Sequence, residues 1–210
     1  MKNFKFTKLM LLLAMGLATV VFTSCGNGNE PTVDNGVVIN GVKWATRNVD
    51  KPGTFAAKPE DTGMLYQWNR NVGWSSTDFI NSNGTTKWNE VVPLGDTWET
   101  ANNICPKGWR VPTLLELQSL LNSENKWTAT NGVNGRVFGT GKNTVFLPAA
   151  GLRASNDGER GGSGDSGYYW SSLAYEYGNE QAYSLFFDNN DEYIDGGYRR
   201  YGYCVRCVAE

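Results

Sequence analysis

From residue 37 onward the apolar residues of this chain come in short runs, each cut by Gly or Asn before it grows long. The runs are "GVVING", "KWATRNV", "MLYQWN", "TVFLPAAG", "AYSLFFD" and "YGYCVRCV". Gly and Asn favour turns, so this punctuation restricts most of the chain to short strands. Two segments escape it. In "PTLLELQSLLNS", Thr113 and Glu116 form a capping box, and Leu114, Leu117, Leu120 and Leu121 recur at helical spacing as core. In "DTWETANNICP", Asp96 and Glu99 offer a second box, Trp98, Ala101 and Cys105 share a face, and Pro106 is the stop. Two short helices early and strands late predict an α+β fold with a small, mostly antiparallel sheet. "RASNDGERGGSGDSG", residues 153–167, lacks the spacing of a phosphate-binding loop and reads as a long plain loop.

The beginning of the chain reads as a targeting segment. Lys2, Lys5 and Lys8 precede an apolar run from Leu9 to Phe22, followed by Thr23, Ser24 and Cys25. Such a run is the length of a signal peptide and short for a membrane span. Cys25 after small residues suggests a bacterial lipoprotein acylated at that cysteine; Phe22 stands where such signals usually carry Leu, so ordinary signal-peptidase cleavage stays open. The expected organisation is a signal peptide over residues 1–24, a lipid-anchored tether over 25–36 and one domain over 37–210. The tether, "GNGNEPTVDNG" after Cys25, has almost no apolar content. The expected location is the bacterial cell envelope, lipid-anchored, at the outer membrane or cell surface.

Charge and side-chain inventory exclude several functions. The chain carries 19 basic and 21 acidic residues, and losing Lys2, Lys5 and Lys8 leaves 16 against 21. A mildly acidic domain with no basic run argues against nucleic acid as a partner. There is no histidine, hence no imidazole base, and no G-x-S-x-G elbow, so no catalytic residue is assigned and no enzyme is expected. Once Cys25 is set aside, Cys105, Cys204 and Cys207 allow at most one intramolecular pair. "CVRC" lies in an alternating run that would point its sulfurs to opposite faces, so no metal or cofactor is expected.

Four motifs resemble a known family in order and spacing: "CPKGWRVPTLLEL", "LPAAGLR", "GYYWSS" and the terminal "RCV", with "VKWATRNV" resembling the opening strand. The chain resembles the Fibrobacter succinogenes major paralogous domain family from about Val42 to the C-terminus. That resemblance implies a C-type lectin-like fold: two short helices, a small twisted sheet, and long loops that carry binding. It implies that Trp109 and Trp170 pack beside the helices and that Gly108 and Gly151 allow tight backbone. It also implies a Cys105–Cys207 disulfide, worth roughly 4–5 kcal/mol on the chain-entropy model. Cys204 stands where the family carries a small residue such as Ser, and is expected to be a free thiol. No general reaction comes with the family. The sugar-binding signatures of calcium-dependent lectins are absent; Asp188, Asp191 and Glu192 could offer oxygen ligands, but a solvated acidic loop is the preferred reading.

Nine of the ten tyrosines fall in residues 167–208, in segments such as "LAYEYGNEQ" and "DNNDEYIDGGYRRYG". Tyrosine among Asn, Asp, Glu and Gly has the composition of a paratope: rigid contact area with adaptable polar neighbours. Two interleaved sets are expected. Trp170, Ser171, Ser172, Ala182, Leu185, Phe187, Arg200, Gly202, Val205, Arg206 and Cys207 read as scaffold. Tyr175, Tyr177, Asn179, Tyr183, Asp188, Asn190, Tyr193, Asp195, Tyr198, Tyr201 and Tyr203 read as ligand-binding residues, the tyrosines gathered at one end of the sheet. Such interleaving also fits a target of a diversity-generating retroelement, which changes adenine-containing codons and spares scaffold codons. Three function classes follow: an envelope-anchored module binding an unknown protein or glycan ligand, a structural surface lipoprotein with no specific ligand, and a carbohydrate-active enzyme. The first is preferred.

Overall fold

A computed structural model of the protein describes residues 33–210. The signal over residues 1–24, the acylation site Cys25 and most of the tether lie outside the described residues. The end of the tether belongs to the fold. Asp34 is buried, accepts from the Gly36 and Thr46 amides, and pairs with Arg47 at 3.3 Å.

In chain order the elements are β1 (Val37–Ile39), β2 (Val42–Trp44), β3 (Leu65–Tyr66), β4 (Gly73–Trp74), β5 (Trp109–Arg110) and α1 (Leu114–Leu121). There follow β6 (Asn125–Thr130), β7 (Val133–Thr140), β8 (Asn143–Pro148), β9 (Leu152–Arg153) and β10 (Arg160–Gly161). The last four are β11 (Gly167–Ala174), β12 (Gln181–Phe187), β13 (Glu192–Tyr198) and β14 (Val208–Ala209). They form five small antiparallel sheets: β1-β2-β14-β5, β3-β4, β6-β7-β8, β9-β10 and β11-β12-β13. The β1–β2 and β6–β7 hairpins each turn on Asn-Gly, and Asn40, Gly41, Asn131 and Gly132 all take positive φ.

This is a mostly β architecture with one α-helix among the described residues, and it overturns the expected α+β, C-type lectin-like fold with two helices. The surviving helix is α1, whose Thr113–Glu116 capping box is complete in both directions. The segment 96–105 makes only a 3-10 turn, Thr100–Asn102. Its backbone is engaged elsewhere: Trp98 N donates to Ser172 O, Asp96 O accepts from Ala174 N, and Glu99 N is held by the Asn69 side chain. A helix would surrender those partners, and Glu99 is accordingly extended.

Two hydrophobic clusters flank a central layer. Leu65 and Tyr66, Tyr169 and Trp170, and Cys204 and Val205 each divide between them, the first of each pair packing with the α1 leucines and the second with Trp68, Trp98 and Trp109. Trp109 and Trp170 thus sit in the cluster of Trp98, Ile104 and Cys105, beside the segment expected as the first helix, and outside the cluster of the α1 leucines. The segment at 202–205 is threaded through the middle, exchanging backbone bonds with Tyr66, Arg153, Tyr168 and Trp170. Gly151 is required where it stands: its φ is +66°, and a Cβ would come within 2.1 Å of Gly161 O. The expected plain loop after Leu152 is tied down as well. Arg153, buried, donates to Ser75 O, Asp78 O and Gly158 O.

Candidate functional site

The tyrosine-rich segment folds as a meander, β11-β12-β13, followed by the threaded segment. "DEYIDGGY" therefore contains a full strand where the sequence suggested an irregular binding segment. All seven residues of β13 pair with β12, from Glu192 opposite Phe187 to Tyr198 opposite Gln181. Alternation then sorts the side chains. Tyr169, Leu185 and Ile194 stand side by side against the α1 cluster, while Tyr168, Phe186 and Tyr193 stand side by side on the opposite face. The glycine pair in β13 serves both faces. A Cβ at Gly196 would meet the Tyr175 ring at 2.8 Å, and one at Gly197 the Tyr203 ring at 2.7 Å. Glycine is needed there for ring approach.

Across the second face runs a continuous series of rings. Tyr193 packs on Phe186 at 4.8 Å between centroids, Phe186 on Tyr168 at 5.1 Å, and Tyr168 on Tyr203 at 4.9 Å. Tyr203 also stacks on Trp170 at 4.2 Å and on Tyr201 at 5.5 Å, and Tyr201 reaches Tyr198 at 5.9 Å. The series begins in the core and surfaces at Tyr193, 48% exposed, and Tyr198, 46% exposed. Each outer ring is braced by an inner one, which keeps its ordering cost low on contact. Tyr203 is the exception among the residues expected to bind: at 3% exposure it is the floor of the series, and burial holds its hydroxyl far above the ordinary tyrosine range.

A second group sits at the turn between β11 and β12. The Tyr175 ring packs edge-on against Tyr177 at 5.5 Å and Tyr183 at 4.8 Å. The Tyr183 hydroxyl donates to Glu176 Oε1 at 3.1 Å. Hydrogen bonding to Asp195 holds the Tyr175 hydroxyl above its usual range, and hydrogen bonding to Glu176 does the same for Tyr177. Asp188 and Asn190 lie elsewhere, on the β12–β13 turn, lining a cleft of about 310 Å³ with Trp127, Asn134 and Asp165. Tyr175, Tyr177, Tyr183, Tyr198 and Tyr201 thus lie toward the end of the sheet marked by the β11–β12 turn, where Gln181 pairs with Tyr198, while Tyr193, Asp188 and Asn190 lie toward the other end. Of the acidic trio weighed for calcium, Glu192 pairs with Arg136 at 2.6 Å and Asp188 accepts from the Asn190 and Asp191 amides.

Exposure follows the two sets drawn from the sequence. Of the eleven scaffold residues nine are buried, Ser172 and Arg200 being half-buried. Of the eleven contact residues six are exposed (Tyr177, Asn179, Asn190, Tyr193, Asp195 and Tyr198), four are half-buried, and Tyr203 is buried. Tyr168, Phe186 and Glu176 belong to the surface but were not picked out. The alternation in "GYYWSS" and "YSLFFD" was the signal that could have found the first two.

The cysteines are arranged as the resemblance implied. Cys105 and Cys207 form a disulfide, and Cys204 is free and buried. Burial pushes the Cys204 thiol up to about 12. An unfolded thiol ionises near 8.5, so above that pH the unfolded chain releases a proton that the folded chain keeps, and stability is lost as pH rises through this window. Between pH 8 and 10 the wild type should lose about 1–2 kcal/mol more than Cys204→Ser in urea unfolding. Parallel curves for the two proteins would sink this assignment.

A family model described as the Lcl C-terminal domain matches residues 59–209. The four ordered motifs lie inside that span. No curated protein and no solved structure matches the chain.

Proposed function

Because the chain belongs to the Lcl C-terminal domain family, which fits a cell-surface or lipoprotein-like module, we propose that it is an envelope-anchored binding module whose contact surface is the aromatic face and turn of the β11–β13 meander. The observation that carries this reading is the continuous series of rings from buried Trp170 and Tyr203 out to exposed Tyr193 and Tyr198. Aromatic anchors held by a rigid scaffold contribute most of the energy of typical contacts. The partner is a protein or glycan outside the cell, and the anchor is lipid on Cys25. Two finer readings remain proposals: kinship with the F. succinogenes major paralogous domain, supported by the ordered motifs, and retroelement diversification, supported by variable-type residues falling on exposed positions.

The test uses the full-length protein in detergent on glycan and envelope-protein arrays. Tyr193→Ala and Tyr198→Ala should leave stability within about 1 kcal/mol, as befits half-exposed side chains. Each should weaken binding to an array hit by about fivefold or more. Large stability losses with binding unchanged would mark the series as core alone. Cys25→Ala should move the protein from the membrane to the soluble fraction; retention on the membrane would refute the anchor.

A further inference from the structure

The turn between β11 and β12 carries chemistry of its own. Tyr177 is 79% exposed, and its ring, with those of Tyr175 and Tyr183, projects beside the carboxylates of Glu176 and Asp195, both exposed. Glu176 accepts from the Tyr183 hydroxyl at 3.1 Å, and interaction with Glu176 and with Asp195 raises the Tyr177 and Tyr175 hydroxyls above their ordinary range. A phenol that donates to a carboxylate has its proton directed away from incoming ligands. What remains outward is ring face, negative by its quadrupole, and carboxylate oxygen. Every exposed residue of the turn and of β13 that is charged at neutral pH is acidic: Glu176, Glu180 and Asp195.

The neighbouring cations do not neutralise this group. Arg199 is buried, with its guanidinium over the Trp68 ring at 4.5 Å and donating to Gln181 O, Pro93 O and Gly95 O. Arg200 pairs with Glu180 at 3.7 Å. Neither is directed to Glu176 or Asp195 by those bonds.

We infer that the Tyr175–Tyr177–Tyr183 group with Glu176 and Asp195 is a recognition site for a guanidinium, presented by an arginine side chain on a basic segment of a partner protein. This deepens, and rests on, the contact-surface reading above. Edge-on packing fills the space between the rings, so they offer open faces and no closed box of the kind that holds a quaternary ammonium. A planar, weakly hydrated guanidinium stacks on an open tyrosine face while its N–H groups reach a carboxylate at the rim; a compact, strongly hydrated ammonium does this less well. The negative surroundings also steer basic segments toward the turn and repel acidic ones.

The probe is a fluorescent peptide containing several arginines, compared with its lysine and glutamate counterparts, titrated into the full-length protein in detergent. The arginine peptide should bind about fivefold tighter than the lysine peptide, with the glutamate peptide not binding, and affinity should fall as salt rises. Glu176→Gln and Tyr177→Ala should each weaken the arginine peptide by about fivefold with melting temperature unchanged, while Glu124→Gln, at an exposed position just before β6, should not. Equal binding of the arginine and lysine peptides, binding of the glutamate peptide, indifference to both turn variants, or no peptide binding would each overturn the inference. An array ligand lost in Tyr193→Ala or Tyr198→Ala but untouched by Glu176→Gln would leave the contact-surface reading standing while this site fell. Silence on the arrays together with arginine-selective binding would uphold the site at the turn and overturn the assignment of Tyr193 and Tyr198 as contact residues.

Discussion

Replacing Arg206 by methionine should lower stability by about 3–5 kcal/mol, the range seen when one partner of a buried charged network is removed. Arg206 is fully buried. Its Nε donates to Asn48 Oδ1 at 3.0 Å, one terminal nitrogen to Ala45 O at 3.2 Å and the other to Phe146 O at 3.0 Å. Asn48 in turn donates to the Tyr169 hydroxyl, which donates to Pro148 O. One guanidinium thereby joins the segment after β2, strand β8 and the threaded C-terminal segment. Burial draws its pKa down from the ordinary arginine value. Methionine fills the space but leaves three buried acceptors without a donor, each costing about 1–3 kcal/mol before relaxation. For a domain of this size the melting temperature should fall by roughly 10 °C. Lysine keeps the charge but cannot satisfy three acceptors spread around a plane, so Arg206→Lys should lie between. A loss under about 1 kcal/mol for Arg206→Met, measured by urea unfolding, would show that water or relaxation replaces the guanidinium.

The second large effect is loss of the disulfide. Cys105 and Cys207 are 102 residues apart, so the bridge removes a long loop's closure entropy from the unfolded chain. The chain-entropy model assigns roughly 4–5 kcal/mol to a loop of that length. In the folded state it fastens the residue before β14, a two-residue strand with little ladder of its own, to the segment before β5. The double variant Cys105→Ala/Cys207→Ala should unfold about 10 °C below the wild type. Adding reductant to the wild type should bring it to the same midpoint and leave the variant unmoved. Non-reducing peptide mapping should find the Cys105–Cys207 link, with Cys204 alkylated only after denaturation because its thiol is buried and protonated. A Cys105–Cys204 link, or a midpoint indifferent to reductant, would refute this account.

Together these two effects show where the fold is held. Single strands here are short, and several pair over only two residues. Long-range fasteners therefore supply what ladders do not: Arg153, Arg199 and Arg206 reach backbone carbonyls 60 or more residues away, and one disulfide spans half the chain. A scaffold pinned this way can present exposed tyrosines on its last meander without relying on them for stability.

What the sequence determined by itself was whatever depends on neighbours within a turn or two. The capping box and leucine spacing specify α1 because both act within eight residues. Strand-length runs such as "TVFLPAAG" and "AYSLFFD" become β8 and β12 because alternation and flanking turns are local. The separation of residues 167–208 into buried and exposed sets was also legible, since apolar and polar identity decides which positions can leave water. The disulfide, by contrast, came from family resemblance and not from any local rule. What only the tertiary structure decided was each place where a backbone had a distant competitor. The box at Asp96–Glu99 is intact in sequence, yet those amides and carbonyls bond to β11 and Asn69, and no helix forms. "IDGG" belongs to a segment whose composition suggested an irregular binding surface, yet it is strand, because β12 offers a full ladder and two tyrosine rings occupy the space that side chains on Gly196 and Gly197 would need. Tyr203 shares its composition with exposed neighbours but is buried, because the segment carrying it is threaded between β3 and β11. Local pattern states what a segment prefers; the partners that outbid that preference are set by contacts a hundred residues away.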